Sequence, residues 1–74
     1  MSHLPLLSGR EVVKALRKVG YEFDHQRSSH MVLRHVAPPH RRLTVPDHDE
    51  VAKGTLRAII REAGLTVEEF KALL

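Results

Sequence analysis

Apolar and polar side chains alternate along two consecutive stretches of the chain, Tyr21–Gln26 and Arg27–His35. Successive side chains of a strand point to opposite faces of a sheet, so this period of two predicts two strands that form a hairpin. The odd-numbered side chains would face a core and the even-numbered ones an open face. A third short strand, Arg42–Pro46, follows the same pattern. The three strands are expected to form an antiparallel meander.

A helix is predicted before these strands. Ser8 and Glu11 have the spacing of a capping box, and apolar residues recur at helical spacing beyond them. The helix is expected to run over about Gly9–Val19 and to stop at Gly20. Its polar side carries one longitudinal row of basic residues: Arg10, Lys14 and Arg17. Such a row is either an ordinary solvated face or a surface that meets an anionic ligand.

Two further helices are predicted after the strands. The longer one is expected to begin with Thr55 as its N-cap and to end at Gly64. Lys53 lies close to this start, where the free N–H groups and the dipole of a helix N-terminus favour an anion. The shorter helix begins at a second capping box, formed by Thr66 and Glu69.

The length and composition favour one small cytoplasmic domain. A chain of 74 residues has room for one small core, so the order helix, three strands, helix and short helix predicts a single α+β domain over residues 1–74. The sequence has no cysteine, which excludes disulfides and thiolate metal sites and fits a reducing compartment. No stretch has the length and hydropathy of a signal peptide or a membrane span. The net charge is only +3, so the position of the basic residues matters more than their number.

The hairpin register decides which side chain faces His30. If odd-numbered residues point inward on both strands, paired residues have numbers that sum to an even value, which excludes a two-residue turn. A three-residue loop over residues 26–28 would place Asp24 opposite His30. A loop over residues 27–29 would place Gln26 there instead. The sequence leaves both registers open.

His30 is the candidate for chemistry on the open face. An imidazole changes its charge near neutral pH and can move protons. Arg34, Arg42 and Thr44 are expected on the same face, where the two arginines could compensate the charge of a phosphodiester. For His30 taken alone, an exposed strand histidine without a chemical role is the simpler interpretation.

The spacing of the histidines does not predict a metal site. His25, His30, His35 and His40 recur every five residues. A step of five along a strand reverses the face, so His25 and His30 are expected to look in opposite directions. We therefore expect no bound zinc.

Several stretches resemble one family across nearly the whole chain. They are Leu7–Val12, Val19–Tyr21, the pair Ser29-His30, Val45–His48 and, most specifically, Lys53–Leu65. In these stretches the chain resembles the HicA family of small mRNA interferase toxins. Where that family usually has Gly-Ser-His, this chain has Ser28-Ser29-His30. A left-handed Ser28 in the loop would carry a cost that glycine avoids.

The resemblance implies a fold like the double-stranded-RNA-binding domain, with mRNA as substrate and His30 as the catalytic residue. It also implies an antitoxin of the HicB type, which would cover the active face. Operator DNA would be contacted only through the complex with that antitoxin.

A mechanism follows from the chemistry of RNA, which carries its own nucleophile. Cleavage requires removal of the 2′-hydroxyl proton, help for the leaving oxygen and compensation of the phosphorane charge, without a metal or other cofactor. His30 is the expected general base or acid. The residues expected to contact RNA are Arg10, Lys14, Arg17, Arg34, Arg42 and Lys53, and the candidates for orienting or secondary roles are Asp24, Ser29 and His48. The alternatives are a non-catalytic double-stranded-RNA-binding module with the same basic surface and a protein-interaction domain.

Overall fold

The computed structural model describes residues 3–74 and has the predicted order of elements. The helices and strands are α1 (Gly9–Arg17), β1 (Tyr21–Arg27), β2 (His30–His35), β3 (Arg42–Pro46), α2 (Lys53–Glu62) and α3 (Val67–Lys71). The strands form one antiparallel sheet in the order β1-β2-β3, and the helices cover one of its faces. This is the predicted α+β fold of the double-stranded-RNA-binding-domain type. None of the described helices combines the length and hydropathy needed to cross a membrane.

One hydrophobic core lies between the helices and the sheet. Its fully buried side chains come from all three helices, from two strands and from the segment before α2, and the largest are Val12, Leu16, Leu33, Val45, Val51, Leu56, Ile60 and Phe70. Within residues 3–74 the core contains no buried polar or charged side chain. Burial of apolar area therefore stabilises the fold, and the polar chemistry is left to the other face of the sheet.

Both predicted capping boxes are present. At α1 the Ser8 hydroxyl accepts a hydrogen bond from the Glu11 amide at 3.1 Å, and the Glu11 carboxylate accepts one from the Ser8 amide at 2.8 Å. At α3 Thr66 and Glu69 make the same two bonds at 3.1 and 2.8 Å. These side chains satisfy amides that the first turn of a helix leaves without partners.

The start of α2 differs from the prediction. Thr55 is not the N-cap, because the helix already begins at Lys53, with Ala52 as N-cap and no side-chain cap. The buried Val51 donates its amide to the Leu7 carbonyl at 2.8 Å. This main-chain hydrogen bond holds the segment that leads into α2. The helix therefore begins at Lys53 although its N-cap residue, Ala52, has no capping side chain.

A β-bulge interrupts β1 at Asp24. Phe23 pairs with Leu33, whereas His25 pairs with Val32, so β1 has one more residue than β2 between these two pairs. An extra residue on one strand reverses the alternation of faces beyond it. His25 therefore lies on the open face with Val32.

The bulge changes the hairpin register. Arg27 pairs with His30 across the two-residue turn Ser28-Ser29, which the parity argument had excluded. The prediction was wrong because it assumed uninterrupted alternation along β1. Neither Asp24 nor Gln26 lies opposite His30. Of the two turn residues only Ser28 has a positive φ, 55°, so the expected left-handed serine is present.

Candidate active site on the open sheet face

His30 is exposed at the first position of β2, where the hairpin turn meets the open face. It pairs with Arg27 on β1 and with Pro46 on β3. Cross-strand partners have Cβ atoms about 4.5–5.5 Å apart. Arg27 is thus the charged residue next to the imidazole, although the sequence had not singled it out.

Asp24 and His25 form a second polar group on this face. His25 Nδ1 lies 2.7 Å from Asp24 Oδ2, and Arg42 Nη1 lies 3.6 Å from the same oxygen. The hydrogen bond from His25 holds the pKa of Asp24 below its usual value, and the charges of Arg42 and Arg34 act in the same direction. The ionised carboxylate can only accept, so Nδ1 of His25 carries the proton. Asp24 therefore orients His25, and not His30, which one of the two expected registers would have placed opposite it.

Arg34 and Arg42 lie on the open face with His30, as predicted, but towards the other end of the strands. They pair with each other across β2 and β3. Arg34 follows His30 by four positions along β2, which corresponds to roughly 13 Å. Thr44, opposite Val32, lies between the two ends. These arginines can contact the flanks of a ligand centred on His30, while Arg27 is the closer cation.

Asp47 ties the turn beside His30 to α1. Its amide donates to the Ser29 carbonyl at 2.7 Å. Its carboxylate accepts from Gln26 Nε2 at 3.1 Å and from Arg10 Nε at 3.3 Å. The hydrogen bonds from Gln26 and Arg10 hold the pKa of Asp47 below its usual value. Ser29 thus contributes its main chain to the position of the turn.

His48 and Lys53 lie outside the hairpin. The His48 carbonyl accepts from the Gly9 amide at 2.9 Å, and its side chain is exposed two residues beyond Pro46, the strand partner of His30. This main-chain bond joins the segment after β3 to the start of α1. Lys53 is exposed in the first turn of α2, whereas the expected N-cap at Thr55 would have left it just before the helix.

The basic row of α1 lines an open groove of about 550 Å³ between α1 and β1. Arg10, Lys14 and Arg17 are all exposed. Arg10 forms the ion pair with Asp47, but within residues 3–74 Lys14 and Arg17 form none. Two cations of the row are therefore available to an anionic ligand in this groove.

Phe23 adds an aromatic surface to the groove. Its side chain faces the core side of the sheet, but it remains 49% exposed because β1 is an edge strand. Gln26 and Met31 also line the groove, and they pair with each other directly beside the Arg27–His30 pair. The groove therefore ends at the turn that carries His30.

The histidines are not arranged as the sequence predicted. His25 and His30 share the open face because of the bulge, so the expectation that they look in opposite directions is wrong. His35 is engaged elsewhere, since its Nε2 lies 2.9 Å from the Val19 carbonyl and its Nδ1 accepts from the Ala37 amide at 3.0 Å. Among residues 3–74, no three His, Cys, Asp or Glu side chains are grouped so that they could hold a metal ion.

The chain matches the model of a known protein family. The family model described as the HicA toxin of bacterial toxin-antitoxin matches residues 9–65 of the 74-residue chain. The matched segment contains α1, the whole sheet with the hairpin, and α2. No curated protein matches the chain.

Proposed function

Since the chain belongs to the HicA family of toxins of bacterial toxin–antitoxin systems, we propose that it is an endoribonuclease that cleaves mRNA with His30 as its proton-transfer residue. The observation that carries this proposal is the exposed His30 with Arg27 as its strand partner on an open sheet face. That arrangement presents a titratable group and a fixed cation to an extended ligand.

The reaction needs no component beyond RNA and the protein. The 2′ oxygen attacks the adjacent phosphorus as its proton is removed, and the bond from phosphorus to the 5′ oxygen breaks as that oxygen takes up a proton. The products carry a 2′,3′-cyclic phosphate and a 5′-hydroxyl. His30 performs one of the two proton transfers. Arg27 compensates the negative charge that develops on the phosphorane oxygens.

The groove between α1 and β1 is the proposed binding surface for the RNA strand. Lys14 and Arg17 would contact phosphates, and Phe23 offers a ring on which a base can stack. Because the groove ends beside the turn, RNA bound there can continue around the free edge of β1 to His30. The further proposed RNA contacts are Arg10, Arg34, Arg42 and Lys53.

The family implies an antitoxin partner. We propose a HicB-type protein that covers the open face and keeps RNA from His30, with operator DNA contacted only through the complex. We also propose that the protein acts in the cytoplasm, where its mRNA substrate is found.

A second candidate function is supported by the fold. A double-stranded-RNA-binding domain recognises the shape of an RNA helix without cleaving it, and the basic row on α1 suits that role. This alternative assigns no chemistry to His30, so it differs from the main proposal in a measurable way.

Induced expression in a bacterial host separates the two functions. The parent protein is expected to arrest growth and to fragment mRNA, and a folded His30→Ala variant is expected to do neither. Equal growth of both cultures with intact mRNA would contradict the nuclease. Arrest by both variants without fragmentation would favour the binding module.

A further inference from the structure

A cluster of three side chains lies at the turn end of the open face: His25, Arg27 and His30, which we call the hairpin-tip cluster. His25 pairs with Val32, and His30 precedes Val32 by two residues on the same strand. His25 and His30 are therefore diagonal neighbours, with a separation of roughly 7–8 Å. Arg27 follows His25 by two residues and pairs with His30, so it is a neighbour of both histidines on this face.

We propose that His25 is the second catalytic residue of the proposed RNA cleavage and donates the proton to the leaving 5′ oxygen. This inference rests on the proposed function and on His30 as its general base. It supplies the proton donor that the reaction requires besides the general base.

The contacts of His25 suit a proton donor. Its Nδ1 donates to Asp24 Oδ2 at 2.7 Å, which fixes the ring and leaves Nε2 free to meet the substrate. Arg42 Nη1 lies 3.6 Å from the same carboxylate oxygen and forms an ion pair with Asp24. The carboxylate compensates the positive charge that an imidazolium carries before it gives up its proton.

His30 has the complementary surroundings. Within residues 3–74 no carboxylate lies within ion-pair distance of its ring, and its strand partner is the cation Arg27. Because the carboxylate contact belongs to His25, the role of proton donor is assigned to His25 and the role of proton acceptor to His30. The two histidines thus have different partners and different roles.

The spacing of the cluster fits one phosphodiester between the two rings. His30 removes the 2′-hydroxyl proton as the bond from the 2′ oxygen to phosphorus forms. His25 Nε2 delivers its proton to the 5′ oxygen as the bond from phosphorus to that oxygen breaks. Arg27 faces the phosphorane between them. Proton exchange with water then returns both rings to their starting states.

The test compares two RNA substrates that differ in one atom. In the second substrate sulfur replaces the bridging 5′ oxygen at the cleavage site, and a thiolate leaves without a proton. On ordinary RNA, His25→Ala is expected to lower the single-turnover rate by about 10²-fold or more. On the sulfur substrate the same variant should cleave at close to the parent rate. His30→Ala should be slow on both, because the attacking 2′-hydroxyl still has to lose its proton.

Two controls separate chemistry from structure. Asp24→Asn should slow cleavage of ordinary RNA less than His25→Ala does. On the sulfur substrate its cleavage rate should return close to that of the parent. His3→Ala, which removes an exposed histidine before α1, should behave like the parent on both substrates. The His25 side chain is 46% exposed, so its replacement is expected to preserve the fold, and thermal unfolding checks this.

The outcomes distinguish the two levels of the proposal. If His25→Ala cleaves ordinary RNA like the parent while His30→Ala does not, the His25 assignment fails and the nuclease stands. If His25→Ala lowers the cleavage rate by the same factor on both substrates, His25 is not the proton donor and the assignment again fails. A folded parent that cleaves neither substrate overturns the nuclease and the role of His25 together.

Discussion

Gly9 packs directly against Pro46, so that a Cβ added at Gly9 would collide with the Pro46 carbonyl oxygen. The Gly9 amide also donates to the His48 carbonyl at 2.9 Å. These two contacts join the start of α1 to the end of β3, directly behind the turn that carries His30. A side chain at position 9 would force the two segments apart.

Gly9→Ala is therefore expected to destabilise the protein by about 1–3 kcal/mol, the usual cost of overpacking. Gly54→Ala is the matched control, because a Cβ at Gly54 has no neighbouring atom within 4 Å. In the helix, that change should stabilise by about 0.5–1 kcal/mol. Urea unfolding of both variants measures the difference, and two similar values would contradict the close approach at Gly9.

Ser28→Gly is expected to stabilise the hairpin. Ser28 holds a φ of 55°, which a glycine adopts without the steric cost of a Cβ. The free energy of unfolding should rise by about 0.5–1 kcal/mol, because the steric cost that glycine removes exceeds the extra chain entropy that it adds to the unfolded state. Ser29→Gly, without a positive φ to relieve, should be neutral or destabilising. Equal effects of the two changes in thermal unfolding would show that the turn is not strained at Ser28.

The elements of this fold were predictable because their signals are local. The capping boxes at Ser8 and Thr66 mark two helix starts, and the alternation of β2 identifies which face of the sheet is buried. The start of α2 was not predictable in this way. It depends on the contact between Val51 and Leu7, which are far apart in sequence.

The site was predicted only in part, because the alternation of β1 ends at Phe23. The next four residues, Asp24 to Arg27, are all polar, so their pattern gives no information about which face each side chain takes. The bulge at Asp24 is decided by the hydrogen-bond ladder of the whole hairpin. For that reason the sequence placed His30 on the open face but missed Arg27 as its strand partner and His25 as its neighbour.

Asp47→Asn is expected to make stability less dependent on pH in the acid range. The pKa of Asp47 is lowered in the folded state, so its ionised form stabilises the fold above its ordinary pKa of about 3.9. That contribution is lost as the pH falls through the lowered folded-state pKa. The variant should unfold at a lower temperature than the parent at pH 7. The difference between the two unfolding temperatures should become smaller below about pH 4. A constant gap from pH 7 to pH 2.5 would contradict this role for the carboxylate.

Removal of Lys14 and Arg17 should weaken RNA binding without changing the chemistry. Each lost phosphate contact lowers the slope of log affinity against log salt by about 0.7 for a single strand, so the double change to Gln should lower it by about 1.4. Cleavage at saturating RNA should stay close to the parent rate. Arg57→Gln with Arg61→Gln removes the same charge from the exposed side of α2, outside the groove. If both double variants change the slope equally, binding depends on net charge and the groove is an ordinary solvated face.

Single-turnover cleavage of RNA by the purified protein in excess chelator tests most directly whether His30 performs proton transfer. The parent should cleave RNA under these conditions. His30→Ala should lower the rate by about 10²–10⁴-fold while its affinity for RNA stays nearly unchanged. Cleavage by His30→Ala at the parent rate would contradict the account.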